Sequence, residues 1–525
     1  MSISKRNRKD ISKAFKLSGL TISSDAVVGV WRQLRHEEDL QTSLQVIIGG
    51  IKTYLKQNQV KGSVIDSDVV EKVVAELTSD ETDVVHDSLQ LISAFDHANL
   101  CYKREKKEFY IAPRAGAAVN GVAKDKIEMY RSRLALIHQR LLRQKIFHAP
   151  LNVVSSRSED SYIKLCPVES LIGTTGVQRV LGMLFKHHDK LYLEDYNSRI
   201  ELLINEDTIV HEGIYTETCA VLVEGTYADG SFVVGTLGMP PSETRAETLP
   251  VLGHVSMMGL HFNSESYANM LRVETQESPA PLVVLSDVHL DRAEVLDKLR
   301  RMFHGLSALK PSVIVFIGNF SAQPFGNSYA DRALYQKGFD ALADILVGYP
   351  ELCKTSQFVF IPGPNDPGSV NALPRVPIPT VFAKKLRNRV QHIHFGTNPS
   401  RLRYFTQEFV FFRENLVSKL RRHQIVEPTM EHDATLEVTA QLAKTILDQG
   451  HLCPLPLSAR PVYWAFDHAL RLYPQPTTVF LADQYDQYLK RYKDTDVCNP
   501  GSFSTDFSFI VYWPGSQKTD FSRID

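Results

Sequence analysis

Six short segments of this chain carry residue types that bind divalent cations or move protons. They are Ser286-Asp287-Val288-His289, Gly318-Asn319, Gly363-Pro364-Asn365-Asp366, Gly450-His451-Leu452, Ala482-Asp483-Gln484-Tyr485 and Asn499-Pro500-Gly501-Ser502-Phe503. Carboxylate, imidazole and carboxamide groups gathered at one place would suit metal-assisted hydrolysis, in which the ions activate water and neutralise phosphate charge. The order and the neighbours matter more than any single residue. Other catalytic signatures are absent: no GxxxxGK[ST], no GxSxG and no HExxH occurs.

Most of these segments close an apolar run, which places them at strand ends. PLVVLSD, SVIVFIGN, QFVFIPGPND, YFTQEFVFFR, TTVFLADQY and FSTDFSFIVYW read as buried strands. RAEVLDKLRRMFHGL, YADRALYQKGFDALADILVGY and TLEVTAQLAKTILDQG read as the helices between them. The alternation predicts an α/β sandwich over 276–525, a sheet covered by helices with its chemistry at the strand ends. Before it, 161–275 has short apolar runs between the turn signals His188-Asp189, Asn197-Ser198 and Asp229-Gly230. That is the rhythm of a small antiparallel barrel, with the OB-fold as the leading candidate.

The first 78 residues predict a small helical bundle. Leu40, Leu44, Ile47, Ile48, Ile51 and Leu55 share one face of a helix over 37–55. Ser24 and Asp25 are candidate caps for a helix carrying Val27, Val28, Trp31 and Leu34, and a third helix carries Val69 to Leu77. Residues 79–160 read as a linker with helices over 83–98 and 123–144. The multi-domain α/β chain is thus expected to divide as 1–78, 79–160, 161–275 and 276–525.

The order of the strand-end segments resembles the calcineurin-like metallophosphoesterases, whose pattern is DxH, GD, GNH with an acid, H, then GHxH, often with NPGS after it. Two cations in such a site need a bridging carboxylate, several imidazoles and a carboxamide. Carried over residue by residue, Asp287 and His289 keep the first motif. Asn319 stands where the bridging aspartate would be. Asn365 is kept, but Asp366 replaces the acid histidine. His451 is a candidate for the fourth motif, and Asp483 and Tyr485 replace both histidines of the last. The resemblance therefore implies an inactivated phosphoesterase domain with vestigial positions, no catalytic residue and no cofactor. The alternatives are a single residual ion at Asp287, His289 and Asn365, or hydrogen-bonded packing roles for Asp287 and His289; packing is the expectation.

A barrel followed by such a domain resembles the B-subunits of replicative DNA polymerases, in the epsilon type. The pieces that carry it are 167–173 (PVESLIG), 180–184 (VLGML), 192–195 (YLED), 213–217, Pro240-Pro241, 285–290 (LSDVHL), 362–367 (PGPNDP), 452–457, Arg460-Pro461, 467–470 (DHAL), 472–474 (LYP), 481–483 and the NPGSF turn. The N-terminal helical unit belongs to the same likeness. The resemblance implies a non-catalytic nuclear subunit in DNA replication and repair. It implies binding to the zinc-containing C-terminal region of the polymerase catalytic subunit and to the GINS complex of the replicative helicase through the N-terminal unit. Small histone-fold subunits would be met indirectly, and DNA through the complex.

Composition is that of an ordinary globular protein and names no role. The 525 residues are 43% hydrophobic and 23% charged, with formal net charge −1, so a nucleic-acid contact must come from a local patch. The cluster Lys5, Arg6, Arg8 and Lys9 reads as a solvated helix start, with nuclear import or phosphate contact as the other reading. No apolar stretch approaches the ~18 residues of a membrane span, and no signal-peptide core is present. Six scattered cysteines form no CxxC pair, which argues for a reduced intracellular setting. Two rival functions remain: an active phosphoesterase or nuclease, and a single-strand binder using Phe185, Tyr192, Tyr196, Lys186, Lys190 and Arg199 on the barrel. Glu194 and Asp195 interleave with that face and weaken it.

Overall fold

The computed structural model describes residues 5–18, 20–34, 44, 48–49, 51, 64–66, 69–70, 88–113, 119–147, 163–253, 255–258, 260, 264–326, 328–368, 371–429 and 437–525. The chain forms two compact units, residues 1–88 and 89–525. In the first, the helices Lys5–Leu17 and Ser24–Leu34 enclose Ile11, Phe15, Ala26, Val27 and Val30, with Leu44, Ile48, Ile51, Ile65 and Val70 in the same core. The second helix is capped one residue earlier than expected, by Ser23, whose hydroxyl accepts from the Ala26 amide at 3.2 Å. A short parallel pair, Thr21–Ile22 with Val64–Ile65, was not legible in the sequence. Of the helix expected over 37–55, Leu44, Ile48, Gly49 and Ile51 are helical; the rest, and most of the third helix, lies outside the described residues. Within the basic N-terminal cluster only the Arg8 side chain is described, and it is exposed.

The second unit begins with a departure from expectation. Where a helix was predicted over 83–98, Leu89–Ser93 is a strand pairing antiparallel with Ser400–Tyr404, and Asn99–Lys103 forms a hairpin with Glu108–Ala112. Leu89 and Leu91 pack onto the apolar layer between two sheets. A period of two suits that layer, and tertiary burial overrides the helical spacing. The helix Ala123–Arg143 does form, but it is no free connector: Leu134, Ile137 and Leu141 pack on Leu181 and Ala220 of the barrel.

The barrel closes from the strands Val177–His187, Lys190–Glu194, Arg199–Val210, Ala220–Ala228 and Ser231–Gly238 around Val180, Leu184, Leu193, Val223 and Phe232. Its tight turns fall where the turn residues stand. His188 and Asp189 both take positive φ (47° and 61°), as do Asp229 and Gly230 (48° and 85°), which matches the right-handed twist of the strands they join. The Asp195 carboxylate accepts from the amides of Asn197 and Ser198, both at 2.9 Å, fixing the third turn.

Two six-stranded sheets follow, face to face, with helices on both outer sides. The first contains Gln357–Ile361, Val313–Ile317, Leu282–Ser286 and Ser508–Trp513; the second contains Thr495–Asn499, Thr478–Ala482, Gln407–Arg413 and Ser400–Tyr404. Alternate residues of each strand serve different layers. Val283 and Leu285 meet the helices Ala293–Leu309 and Tyr329–Val347, while Leu282 and Val284 meet Phe409, Phe411 and Phe480 of the other sheet. Both faces are buried, so the central strands Leu282–Ser286, Val313–Ile317 and Gln357–Ile361 read as near-continuous apolar runs, and burying each such side chain stabilises the fold by about 1.5–3 kcal/mol. Ser328 and Asp331 cap the helix Tyr329–Val347 reciprocally. Among the described residues no helix is long and apolar enough to cross a membrane.

Candidate functional site

The ends of the central strands converge on one charge pair. Asp287 follows the strand Leu282–Ser286 and takes a φ of 52°, a conformation that aspartate tolerates better than most residues. Its carboxylate accepts from the Asn319 amide at 3.0 Å and from Asn319 Nδ2 at 3.2 Å. Opposite lies Arg413, the last residue of a strand in the other sheet, fully buried. Arg413 Nη2 donates to Oδ1 and Oδ2 of Asp287 at 3.0 and 3.2 Å, and Nε to Oδ1 at 3.3 Å. Nε is shared with Gly318 O at 3.0 Å, and Nη1 donates to Ala482 O at 3.1 Å and Asn415 Oδ1 at 2.7 Å. One planar cation thus ties the ends of strands from both sheets together, with its donor sites engaged.

The other motif positions fill in around this pair. Asn319 Oδ1 accepts from the Asn365 amide at 2.9 Å. Asp366 accepts from the amides of Phe320 (2.9 Å) and Gly363 (2.7 Å) and from the Tyr335 hydroxyl (3.0 Å). Burial pushes the Asp366 carboxyl up to about 6, partly offset by those donors. A Cβ on Gly318 would overlap the Asp366 carboxylate, and one on Gly363 would overlap Asn319, so both loops need glycine for their close approach. His289 is half-buried beside Asp287; burial lowers its pKa, and Nδ1 has no hydrogen-bond partner among the described residues. Asp483 accepts from the Val417 amide at 2.8 Å, and burial raises its pKa. Tyr485 is 42% exposed and packs edge-on against Tyr488. Among the described residues no three His, Cys, Asp or Glu side chains are close enough to hold a metal ion.

His451 belongs elsewhere. Its Nε2 meets Asp467 Oδ1 at 3.2 Å and its Nδ1 accepts from the Cys453 amide at 3.0 Å, which makes Nε2 the donor. Burial brings its pKa down to about 4, so the ring is neutral near pH 7. Asp467 also receives Arg133 Nε at 3.1 and 3.2 Å and Arg471 Nε at 3.3 Å. Burial alone would raise its pKa, but Arg133 and His451 outweigh it and hold Asp467 well below the usual carboxylate range. Arg471 further donates to Leu100 O (3.1 Å) and Ser132 Oγ (3.0 Å), so this cluster joins the helix Ala123–Arg143 and the hairpin to the sandwich.

Arg413 and Asp467 were not singled out from the sequence. The signal for Arg413 was a lone arginine closing the apolar run FVFFR; for Asp467 there was none beyond the piece DHAL. On the barrel, Phe185 lies near Tyr192, and Arg199 sits 5.6 Å over the Tyr192 ring. The lysines of that face are paired, Lys190 with Glu201 at 2.9 Å and Lys186 with Asp189 at 3.2 Å.

Comparison with known proteins covers the chain from end to end. Residues 282–490 match the family of DNA polymerase alpha/epsilon B-subunits, and residues 123–241 match the OB-fold domain of the DNA polymerase epsilon subunit 2-like family. DNA polymerase epsilon subunit 2 of Mus musculus is 35% identical over 99% of this chain and 99% of its own length. The Homo sapiens protein of that name is 36% identical over the same shares, and the DNA polymerase epsilon B-subunit of Arabidopsis thaliana is 33% identical over 100% of both.

Proposed function

Since the chain belongs to the family of DNA polymerase epsilon subunit 2, also named the B-subunit, we propose that it is a non-catalytic scaffold of a nuclear replicative polymerase. It binds the zinc-containing C-terminal region of the catalytic subunit through the barrel and sandwich. Its N-terminal helical unit reaches the GINS complex of the replicative helicase, and the histone-fold subunits are met indirectly. The OB-fold barrel and the phosphoesterase-like sandwich then serve as rigid surfaces, in replication and in repair synthesis.

What supports the non-catalytic reading is Arg413. A binuclear centre needs anionic and imidazole donors facing a shared cavity, each offsetting cation desolvation. Here the one carboxylate kept from the first motif, Asp287, is already neutralised by a buried guanidinium. Asn319 carries no charge to bridge two ions, and Asp366 is saturated by three donors. His451 is bonded into a different cluster. These residues do not fit a metal pair, and no hydrolytic step is routed through one.

The test is co-expression with the catalytic subunit of a polymerase epsilon, purification through a tag on this chain, and quantitation of both. A near one-to-one complex at moderate salt is expected. Recovery of this chain alone would overturn the scaffold reading. In parallel, manganese-dependent hydrolysis of a phosphodiester above background, abolished by chelation, would replace it with the phosphoesterase alternative.

A further inference from the structure

The charge of this chain is nearly balanced overall, yet it is segregated locally. Between Asp366 and Glu408 there is no acidic residue, while Arg375, Lys384, Lys385, Arg387, Arg389, Arg401 and Arg403 all fall there. Arg375, Arg401 and Arg403 are buried. The other four lie on the helix Lys384–Arg389, which the 3-10 turn Thr380–Ala383 enters directly. The inner face of this segment is pinned to the sandwich by Ala383, Leu386 and Val390. The outer residues Thr380, Val381, Lys384, Arg387 and Asn388 line an open concavity of about 400 Å³.

The four cations are not equivalent. Lys385 and Arg389 both meet Asp344, at 2.6 and 3.0 Å. Lys384 and Arg387 are exposed, and among the described residues no carboxylate lies within ion-pair distance of either. One acid therefore answers two of the four cations. The barrel face contrasts with this, since its lysines are answered by Glu201 and Asp189.

We propose that this concavity is a direct contact site for the phosphate backbone of DNA. The assignment rests on the reading that the chain works within a DNA polymerase. Lys384 and Arg387 are one helical step of three residues apart, a rise of about 4.5 Å. Residues three apart share one helix face with Cβ atoms about 5–6 Å apart, so the two long cationic side chains can reach neighbouring phosphates of one strand. Thr380 and Asn388 add the hydroxyl and amide donors that recur at such contacts. Among the described residues no aromatic side chain lines the concavity, so it offers no base-stacking platform, and the binding is sequence-independent. Its role is to hold duplex against the accessory subunit.

The experiment measures binding of the full chain, alone and in complex with its catalytic subunit, to a fluorescently labelled primer–template across a salt series. The variants are K384E/R387E and a charge-matched control, K518E/R523E, on the strand Lys518–Arg523, which pairs antiparallel with Ser508–Trp513 at one edge of the first sheet. K384E/R387E is expected to weaken binding about tenfold at low salt and to flatten the log-affinity against log-salt slope by roughly two, one per lost phosphate contact. The control is expected to leave the slope unchanged. Unchanged binding by K384E/R387E, or an equal loss in the control, would overturn the site. Loss of affinity for a glutamate-rich peptide with DNA unaffected would assign the patch to an acidic protein and overturn it too. Assembly is read first: if wild-type chain forms no complex, the scaffold reading fails. If only K384E/R387E fails to assemble, the patch is a contact between subunits and not a DNA site.

Discussion

Two buried carboxylates of the larger unit are each held by arginine, and their settings differ. Asp287 and Arg413 sit at strand ends, where open sheets gather ligand-binding groups, alongside His289, whose buried Nδ1 has no hydrogen-bond partner among the described residues. Asp467 sits between elements far apart in the chain, 334 residues from Arg133, with Arg471 and His451 completing a closed network. The strand-end pair occupies a place suited to chemistry, but its carboxylate is saturated. The interior cluster has a histidine on a carboxylate, a pairing often read as catalytic, yet every partner faces inward. Position and residue type are therefore poor guides alone; what matters is whether a charge still has an unmet partner.

Substitutions can break or sharpen this contrast. The largest effect is expected from Asp467→Asn, which leaves two buried guanidiniums without their anion. It should cost about 3–5 kcal/mol in urea unfolding of the full chain, and a cost below about 1 kcal/mol would make the interior network dispensable. Arg413→Met should cost somewhat less, about 3 kcal/mol, because Asp287 keeps both Asn319 donors. Adding Asp287→Asn to Arg413→Met should recover part of that loss. A double variant no better than the single would show that the guanidinium acts through its carbonyl contacts instead.

The two clusters should also respond oppositely to acid. The His451 pKa falls from 6.5 to about 4 on folding, so the unfolded chain takes the proton first. Stability from this group is present above pH 6.5 and lost as the pH falls towards about 4. His451→Gln should flatten that decline, worth up to about 3 kcal/mol. Asp366 goes the other way, from 3.8 up to about 6. The folded chain takes its proton first, so its contribution is fully present below pH 3.8 and lost as the pH rises through about 6. Asp366→Asn should remove that slope, and matching pH profiles for the two variants would contradict the contrast. The smallest effect is expected from Tyr335→Phe, about 1 kcal/mol by thermal unfolding, through loss of one hydrogen bond to Asp366.

Much of the architecture was legible. Apolar runs of five to seven residues bounded by turn chemistry marked the sandwich strands, and His188-Asp189 and Asp229-Gly230 marked the barrel hairpins. The stretch 83–98 was not, because its apolar spacing fits a helix when the partner strand Ser400–Tyr404, some three hundred residues on, is unknown. Of the candidate site residues, Asp287, His289, Asn319, Asn365, Asp366 and Asp483 gather near Arg413, whereas His451 joins Asp467 and Tyr485 lies at the surface.

Residue order alone determined that position 319 carries no charge, because Asn319 is an amide in any conformation, and that strands would end in polar loops, because apolar periodicity is local. Only the tertiary structure decided which cation answers Asp287 and which cluster claims His451. Arg413 reaches Asp287 across 126 residues, and His451 meets an Asp467 only 16 residues on that Arg133 reaches across 334, so each buried charge takes the partner that packing delivers.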